Sequence, residues 1–175
     1  MDSLEALRGM NSNTVDLIAT VPPFNTGRDR EGKSGQYPDQ WRWGDNVHYE
    51  WMDQIRDDNE PLVEVIEAAM HAHSFDLGAF LCFMSIRLLE MKRVLKATGS
   101  IYLHCDPTAS HYLKAAIDAV FRAKNFRNEI VWCYKENDTA NRYYSRKHDA
   151  VFFYAMGDYT FNIQRGEPTE APIKS

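Results

Sequence analysis

Apolar residues are spaced along this chain in two alternating rhythms. Val15-Asp16-Leu17-Ile18-Ala19-Thr20-Val21 is a short apolar run. Pro22-Pro23 closes it, and because proline fixes φ and lacks an N–H, the run predicts a buried strand that ends in a loop. Pro61 stands where a helix would open, and Leu62, Val65, Ile66, Ala69 and Met70 recur at steps of three and four, predicting a short amphipathic helix. Leu77, Leu81, Met84, Leu88, Met91 and Leu95 carry the same stepping through a second helix, with Lys96 in its last turn and Gly99 as its stop. Residues 100–104 then read as a strand. Asp106-Pro107 reads as an N-cap and first-turn proline, ahead of a helical face made by Leu113, Ala116, Ile117, Val120 and Phe121. The β-branched and aromatic runs at 129–134 and 150–155 predict two further strands.

Strand, helix, strand, helix, strand is the grammar of an α/β fold. The expected class is a Rossmann-like, doubly wound, mostly parallel sheet, whose ligands collect at the carboxyl ends of the strands. Residues 25–59 show no sustained period and read as one long loop, of a length that is usually functional or mobile. A single domain over 1–163 accounts for the pattern, and 164–175, with Pro168 and Pro172, reads as a flexible tail.

Composition narrows the class. At 175 residues, 44% hydrophobic and 26% charged, the chain can bury a core and is neither disordered nor low in complexity. No apolar run approaches the roughly 20 residues that cross a bilayer, and the first residues form neither a basic nor an apolar leader, so the expectation is a cytoplasmic protein without a membrane partner. Cys82, Cys105 and Cys133 form no CxxC; they fit a reducing compartment, predict buried thiols and argue against a zinc site. The net charge of -5 is unevenly spread: residues 122–148 hold seven Lys or Arg against three acids, a local +4. Such a stretch can dock phosphate, or simply face solvent.

Val21-Pro22-Pro23-Phe24-Asn25 lies where the first strand releases the chain. Two fixed φ angles present a rigid carbonyl beside an aromatic face, a corner able to hold a flat heterocycle by stacking and by accepting its amino hydrogens; a plain loop terminator with a core Phe is the other possibility. His104-Cys105-Asp106 could ligate a metal, but strand neighbours point to opposite faces, so no metal is expected there, and Asp106 is assigned to the helix cap or the site rim. Arg142, Tyr143, Tyr144, Arg146, Lys147 and His148 mix ring faces with positive charge, suited to nucleic-acid contact or to a solvated hairpin edge.

Asp16-Leu17-Ile18 followed by Pro22-Pro23-Phe24-Asn25-Thr26-Gly27-Arg28 resembles the catalytic corner, DPPY or DPPF, of site-specific DNA amino-methyltransferases. The resemblance continues through Trp41-Arg42-Trp43, the block from Arg87 to Lys96, the block from Gly99 to Lys114, the block from Asn125 to Trp132 and Arg146-Lys147-His148-Asp149, and covers nearly all of 14–163. It implies double-stranded DNA as partner, S-adenosylmethionine as methyl donor, and a base amine, adenine above all, as the acceptor. By the same resemblance Val21, Pro22, Pro23 and Phe24 form the catalytic corner, with Phe24 stacking on a flipped-out base and Asn25 and Asp106 near it. Two departures stand out. The first motif residue, normally an Asp that accepts a hydrogen bond from the amine, is Val21, and loss of one such acceptor costs roughly 2.7 to 4 kcal/mol of transition-state stabilisation. The family's glycine-rich F-x-G-x-G turn is also missing, since no two glycines stand at i and i+2. The expectation is therefore an amino-terminal part of a methyltransferase, incomplete or degenerate, that relies on a missing carboxyl-terminal half or a homodimer partner. A non-catalytic DNA- or partner-binding module on the same fold is the alternative.

Overall fold

The apolar run at the start of the chain forms β1 (Val15–Thr20) and stops just short of the two prolines. The computed structural model describes residues 2–25, 30–32, 35–37, 39–135, 142–145 and 147–163; Arg146 and the 164–175 tail lie outside them. Before β1 comes a short helix α1 (Ser3–Arg8). After it come a two-stranded hairpin, β2 (Arg30–Gly32) and β3 (Gly35–Tyr37), and then α2 (Glu50–Asp58), α3 (Glu60–Ala72) and α4 (Phe75–Val94). The chain continues through β4 (Leu95–Cys105), α5 (Ser110–Phe121), a 3₁₀ turn, β5 (Phe126–Cys133) and β6 (His148–Ala155).

The helices follow the apolar stepping, with sharper ends than it suggested. Asn59 caps α3 by accepting the Leu62 N–H at 3.3 Å, and Ser74 caps α4 by accepting that of Leu77 at 3.2 Å. α4 ends at Val94 and passes straight into β4, so Gly99 is not the helix stop expected of it. It lies in a bulge where β4 slips against β1, and a Cβ there would meet the Leu95 side chain at 2.6 Å. Nor does Asp106 cap α5. That helix opens three residues later than expected, with Ala109 at its cap position, because Asp106 turns back on its own loop to accept the N–H and hydroxyl of Thr108, both at 3.0 Å.

The fold is α/β, as expected, but its sheet is mixed. Strand order is β1-β4-β6-β5; β1 and β4 pair in parallel, whereas β6 runs antiparallel to both β4 and β5. Three strands thus share one direction and the last, reversed, is inserted among them. Parallel neighbours need a crossover, usually a helix, and the polar stretch between β5 and β6 carries no helical period, so the chain returns antiparallel.

Alternation along the strands divides the sheet into two unlike faces. Ile101, Leu103 and Cys105 of β4 pair across to Tyr154, Phe152 and Ala150 of β6, and all six are buried in the core shared with α3, α4 and α5. On the opposite face lie Leu17, Tyr102, His104, Val151, Phe153 and Trp132, and this side is open except at Phe153, which the rings of Tyr159 and Phe161 adjoin: Leu17 is 56% and Trp132 65% exposed. No helix among the described residues is long and apolar enough to cross a membrane.

Candidate functional site

β1, β4 and β5 all end on the same side of the sheet, and there the open face meets the corner expected from sequence. Val21 is 68% exposed, Pro22 is buried, and Pro23 and Phe24 are half-buried. The Phe24 ring meets that of His104 edge-on, with centroids 5.3 Å apart and planes at 77°. Asn25 leaves the corner at a φ of 58°, a left-handed conformation that Asn tolerates better than most residues. Its N–H donates to Asp39 Oδ1 at 2.7 Å, and Asp39 is 1% exposed. Asp39 thus fixes the exit of the corner from within a stretch that reads as featureless loop. Asp39→Ala is expected to destabilise this corner by about 1–3 kcal/mol, through the unmet amide it leaves. The check is hydrogen exchange at Asn25, which should accelerate about tenfold or more; unchanged exchange would show that the bond holds nothing.

Beside the corner, on the open face, is a cavity of about 350 Å³ walled by Val21, Tyr102, His104, Trp132 and Asp149 among others. His104 Nε2 lies 3.0 Å from Asp149 Oδ2, and the Tyr134 hydroxyl donates to Asp149 Oδ1 at 3.4 Å. Sequence reasoning assigned no role to Tyr102, Trp132 or Asp149. The usable signal was the period of two along β4, which puts Tyr102 and His104 on one face and Cys105 on the other. Asp16, the acid of β1, lies at the far end of that strand and is held by Lys96 Nζ at 2.8 Å, away from Val21.

Asp106 is not among the walls of the cavity. Burial raises its carboxyl above the ordinary range, with the nearby Asp149 adding to the shift, although the Thr108 hydrogen bonds oppose it. Burial likewise pushes the thiols of Cys82 and Cys105 up to about 12, leaving them inert near neutrality. Cys133 departs from the expectation of buried thiols: β5 is an edge strand, and its last residue is exposed. No cluster of three or more His, Cys, Asp or Glu among the described residues is placed to hold a metal.

The basic stretch is not one patch. Arg122 and Lys124 precede β5, whereas Arg142, Tyr143, Tyr144, Lys147 and His148 follow it, so the eight residues of β5 separate them by roughly 25 Å. Only the second group lies at the sheet end that carries Val21. There Tyr143 and Tyr144 are 71% and 99% exposed, Arg142 and His148 are exposed, and Lys147 is half-buried. Arg127, within β5, is occupied by the Ala155 carbonyl at 2.9 Å.

Three of the described glycines are fixed by packing. A Cβ on Gly78 would run into Met70, Gly99 presses on Leu95, and Gly157, at a φ of 46°, sits 2.8 Å from the Ala97 carbonyl by the same measure. These three positions are closed by packing to the amino-acid end of S-adenosylmethionine, whereas Gly44, at a φ of 81°, has nothing within 4 Å of where a Cβ would stand.

Comparison with known proteins gives the chain its relatives. The Mod subunit of the type III restriction-modification enzyme StyLTI from Salmonella typhimurium (strain LT2) is 32% identical over 146 residues, 80% of this chain and 21% of that protein. The type II methyltransferase M.HpaI from Haemophilus parainfluenzae is 25% identical over 166 residues, 94% of this chain and 40% of that protein. The chain therefore spans less than half the length of either relative. Among solved structures, the PvuII DNA methyltransferase (cytosine-N4-specific) aligns with 91% of this chain and 48% of its own at 15% identity, with a TM-score of 0.45. A family model described as DNA methylase, covering the N6 and N4 methyltransferases, matches residues 15–171, from the first residue of β1 to beyond the end of β6, and the chain belongs to that family.

Proposed function

We propose that this chain supplies the target-base side of a DNA amino-methyltransferase that works within a restriction-modification system. Its substrate is the amino group of a base in double-stranded DNA, adenine first and cytosine N4 second. The methyl donor is S-adenosylmethionine, which carries its transferable methyl on a sulfonium and is held by a further part of the protein or by a partner copy. One observation carries this reading: Phe24 and the Pro22-Pro23 turn stand at the carboxyl end of β1, beside a cavity walled by aromatic rings on the open face of the sheet. An unstacked base fits such a place by lying against a ring while its amine meets backbone carbonyl. The chain's own residues bind and orient the base and keep water from one side of it.

The test is transfer of labelled methyl to duplex DNA by this chain fused to the cofactor-binding half of a relative such as M.HpaI. N6-methyldeoxyadenosine is the expected product, and label on cytosine N4 would change the target while keeping the reaction. The second reading, a binding module without transfer, is favoured by Val21 at the position of the motif's acceptor. Absence of any label from a fusion that binds both DNA and donor would decide for it.

DNA contact is assigned to Arg142, Tyr143, Tyr144, Lys147 and His148 at the corner end of the sheet, and on sequence grounds to Arg146. Replacing Arg142 and Lys147 together by Ala is expected to weaken duplex binding about tenfold and to lower the slope of log affinity against log salt by about 1.8, two phosphate contacts' worth. Replacing Arg122 and Lys124 should change neither quantity. Equal losses from the two pairs would mean that the positive charge acts only as a diffuse field.

A further inference from the structure

His104 and Asp149 form a diagonal pair across β4 and β6, with Val151 directly opposite His104 and Asp149 two residues earlier. A carboxylate accepts hydrogen bonds and donates none. The 3.0 Å bond therefore places the hydrogen of the neutral imidazole on Nε2 and leaves Nδ1 with an in-plane lone pair. Among the described residues nothing donates to Nδ1. The Tyr134 hydroxyl, 3.4 Å from the other oxygen of Asp149, steadies the carboxylate, and the Phe24 ring, 5.3 Å from the imidazole, limits its tilt. The result is a fixed imidazole in the wall of the 350 Å³ cavity, whose other walls include Val21, Tyr102 and Trp132. Aromatic walls beside the oriented His104–Asp149 pair suit a flat ring that carries an N–H donor at its edge.

Resting on the assignment of this corner to a target base, the geometry points to His104, oriented by Asp149, as the group that accepts a hydrogen bond from the exocyclic amine of that base. It takes the place of the acceptor that Val21 cannot be. It is also a specificity residue. Adenine and cytosine present N–H to the Nδ1 lone pair, whereas guanine and thymine present an oxo group at the matching ring position and would set acceptor against acceptor.

The experiment compares binding of adenosine and of purine riboside, which lacks the 6-amino group, to the full chain by NMR titration. The wild-type chain should prefer adenosine on the order of tenfold. His104→Phe should erase that preference, and His104→Asn, whose side-chain oxygen can fall near the place of Nδ1, should keep part of it. Asp149→Asn should lower it, because an amide can donate to Nε2 and so turn Nδ1 into the protonated nitrogen. Phe24→Ala should weaken both nucleosides alike. Equal binding of the two nucleosides by the wild-type chain, or a preference that survives His104→Phe, would remove the role given to His104. The corner would stand in that case if Phe24→Ala still weakened both. Failure of the wild-type chain to bind either nucleoside would remove the corner assignment as well. Should His104→Phe not fold, the Asp149→Asn result decides, and an unchanged preference there overturns the proposal.

Discussion

Phe24→Ala is expected to lower the affinity of this chain for adenosine by roughly five- to a hundredfold, the equivalent of about 1–3 kcal/mol for one base stacked on one ring. The ring is half-buried and seated edge-on against His104, one of the cavity walls, rather than packed into the core, so its loss removes a ring face without opening a hole among α3, α4 and α5. Phe24→Tyr should bind almost as wild type, and Phe24→Leu should fall between, since leucine keeps apolar area but lacks a flat face. NMR titration of the three variants against wild type provides the ranking. Equal affinities throughout would mean that Phe24 is a loop terminator, as a Pro-Pro-aromatic step can be, and that a base lodges elsewhere or not at all.

The second large effect concerns stability. Arg87, on α4 and only 3% exposed, donates to both oxygens of Asp2 at 2.8 Å, to Ser3 Oγ at 3.1 Å and to the Phe83 carbonyl at 2.9 Å. Its guanidinium lies 3.4 Å from the centroid of the Phe83 ring. α1 is thereby anchored to the central helix. Asp2→Ala leaves a buried cation without its counter-ion and is expected to cost about 3 kcal/mol. Adding Arg87→Met to Asp2→Ala should recover most of that loss, because the unpaired charge goes and a flexible apolar chain fills the space. Urea denaturation of the single and double variants measures both steps; a double variant no more stable than Asp2→Ala would locate the loss in packing rather than in charge.

The same pair gives a pH dependence of defined sign. Burial alone would raise the Asp2 carboxyl, but the hydrogen bonds from Arg87 and from the Leu4 N–H, with the charge of Arg87, hold it below its usual 3.8. A carboxyl depressed by folding stabilises the folded chain fully above its unfolded value. That contribution is lost as pH falls from about 4 through the lower folded value. Acid unfolding of Asp2→Ala should therefore lack the part of the transition that this group supplies.

The helices were legible because their apolar residues repeat at three and four, and a core face imposes that repeat whatever lies around it. The direction of β6 was not. A run such as Val151-Phe152-Phe153-Tyr154 fits a parallel or an antiparallel place equally well, and what decides is the connection, whose polar residues carry no pattern of their own. α2 was missed for a related reason: it buries only Ile55, so its apolar stripe is too thin to stand out within 25–59. At the site, the corner was legible from Pro22-Pro23-Phe24, because proline acts locally. Asp39, His104 and Asp149 act across the fold, 14 residues from Asn25 in the first case and 45 residues apart in the other two, and spacing along a chain says nothing about such meetings. Asp106-Pro107 shows the converse error. Asp and Pro suit a helix start, but they suit a tight turn equally, and the turn prevailed because Thr108 offered Asp106 two donors at once.

Placement of an amino-bearing base in the cavity beside the corner, over the open face of the sheet, is tested by intermolecular NOEs between adenosine and the full chain at saturating ligand. Contacts from the adenine H2 and H8 protons to the ring protons of Phe24 and to the methyls of Val21 are predicted, with His104 ring protons within the same set. Contacts confined to Tyr143 and Tyr144, or to the far end of the sheet near Leu17, would contradict it.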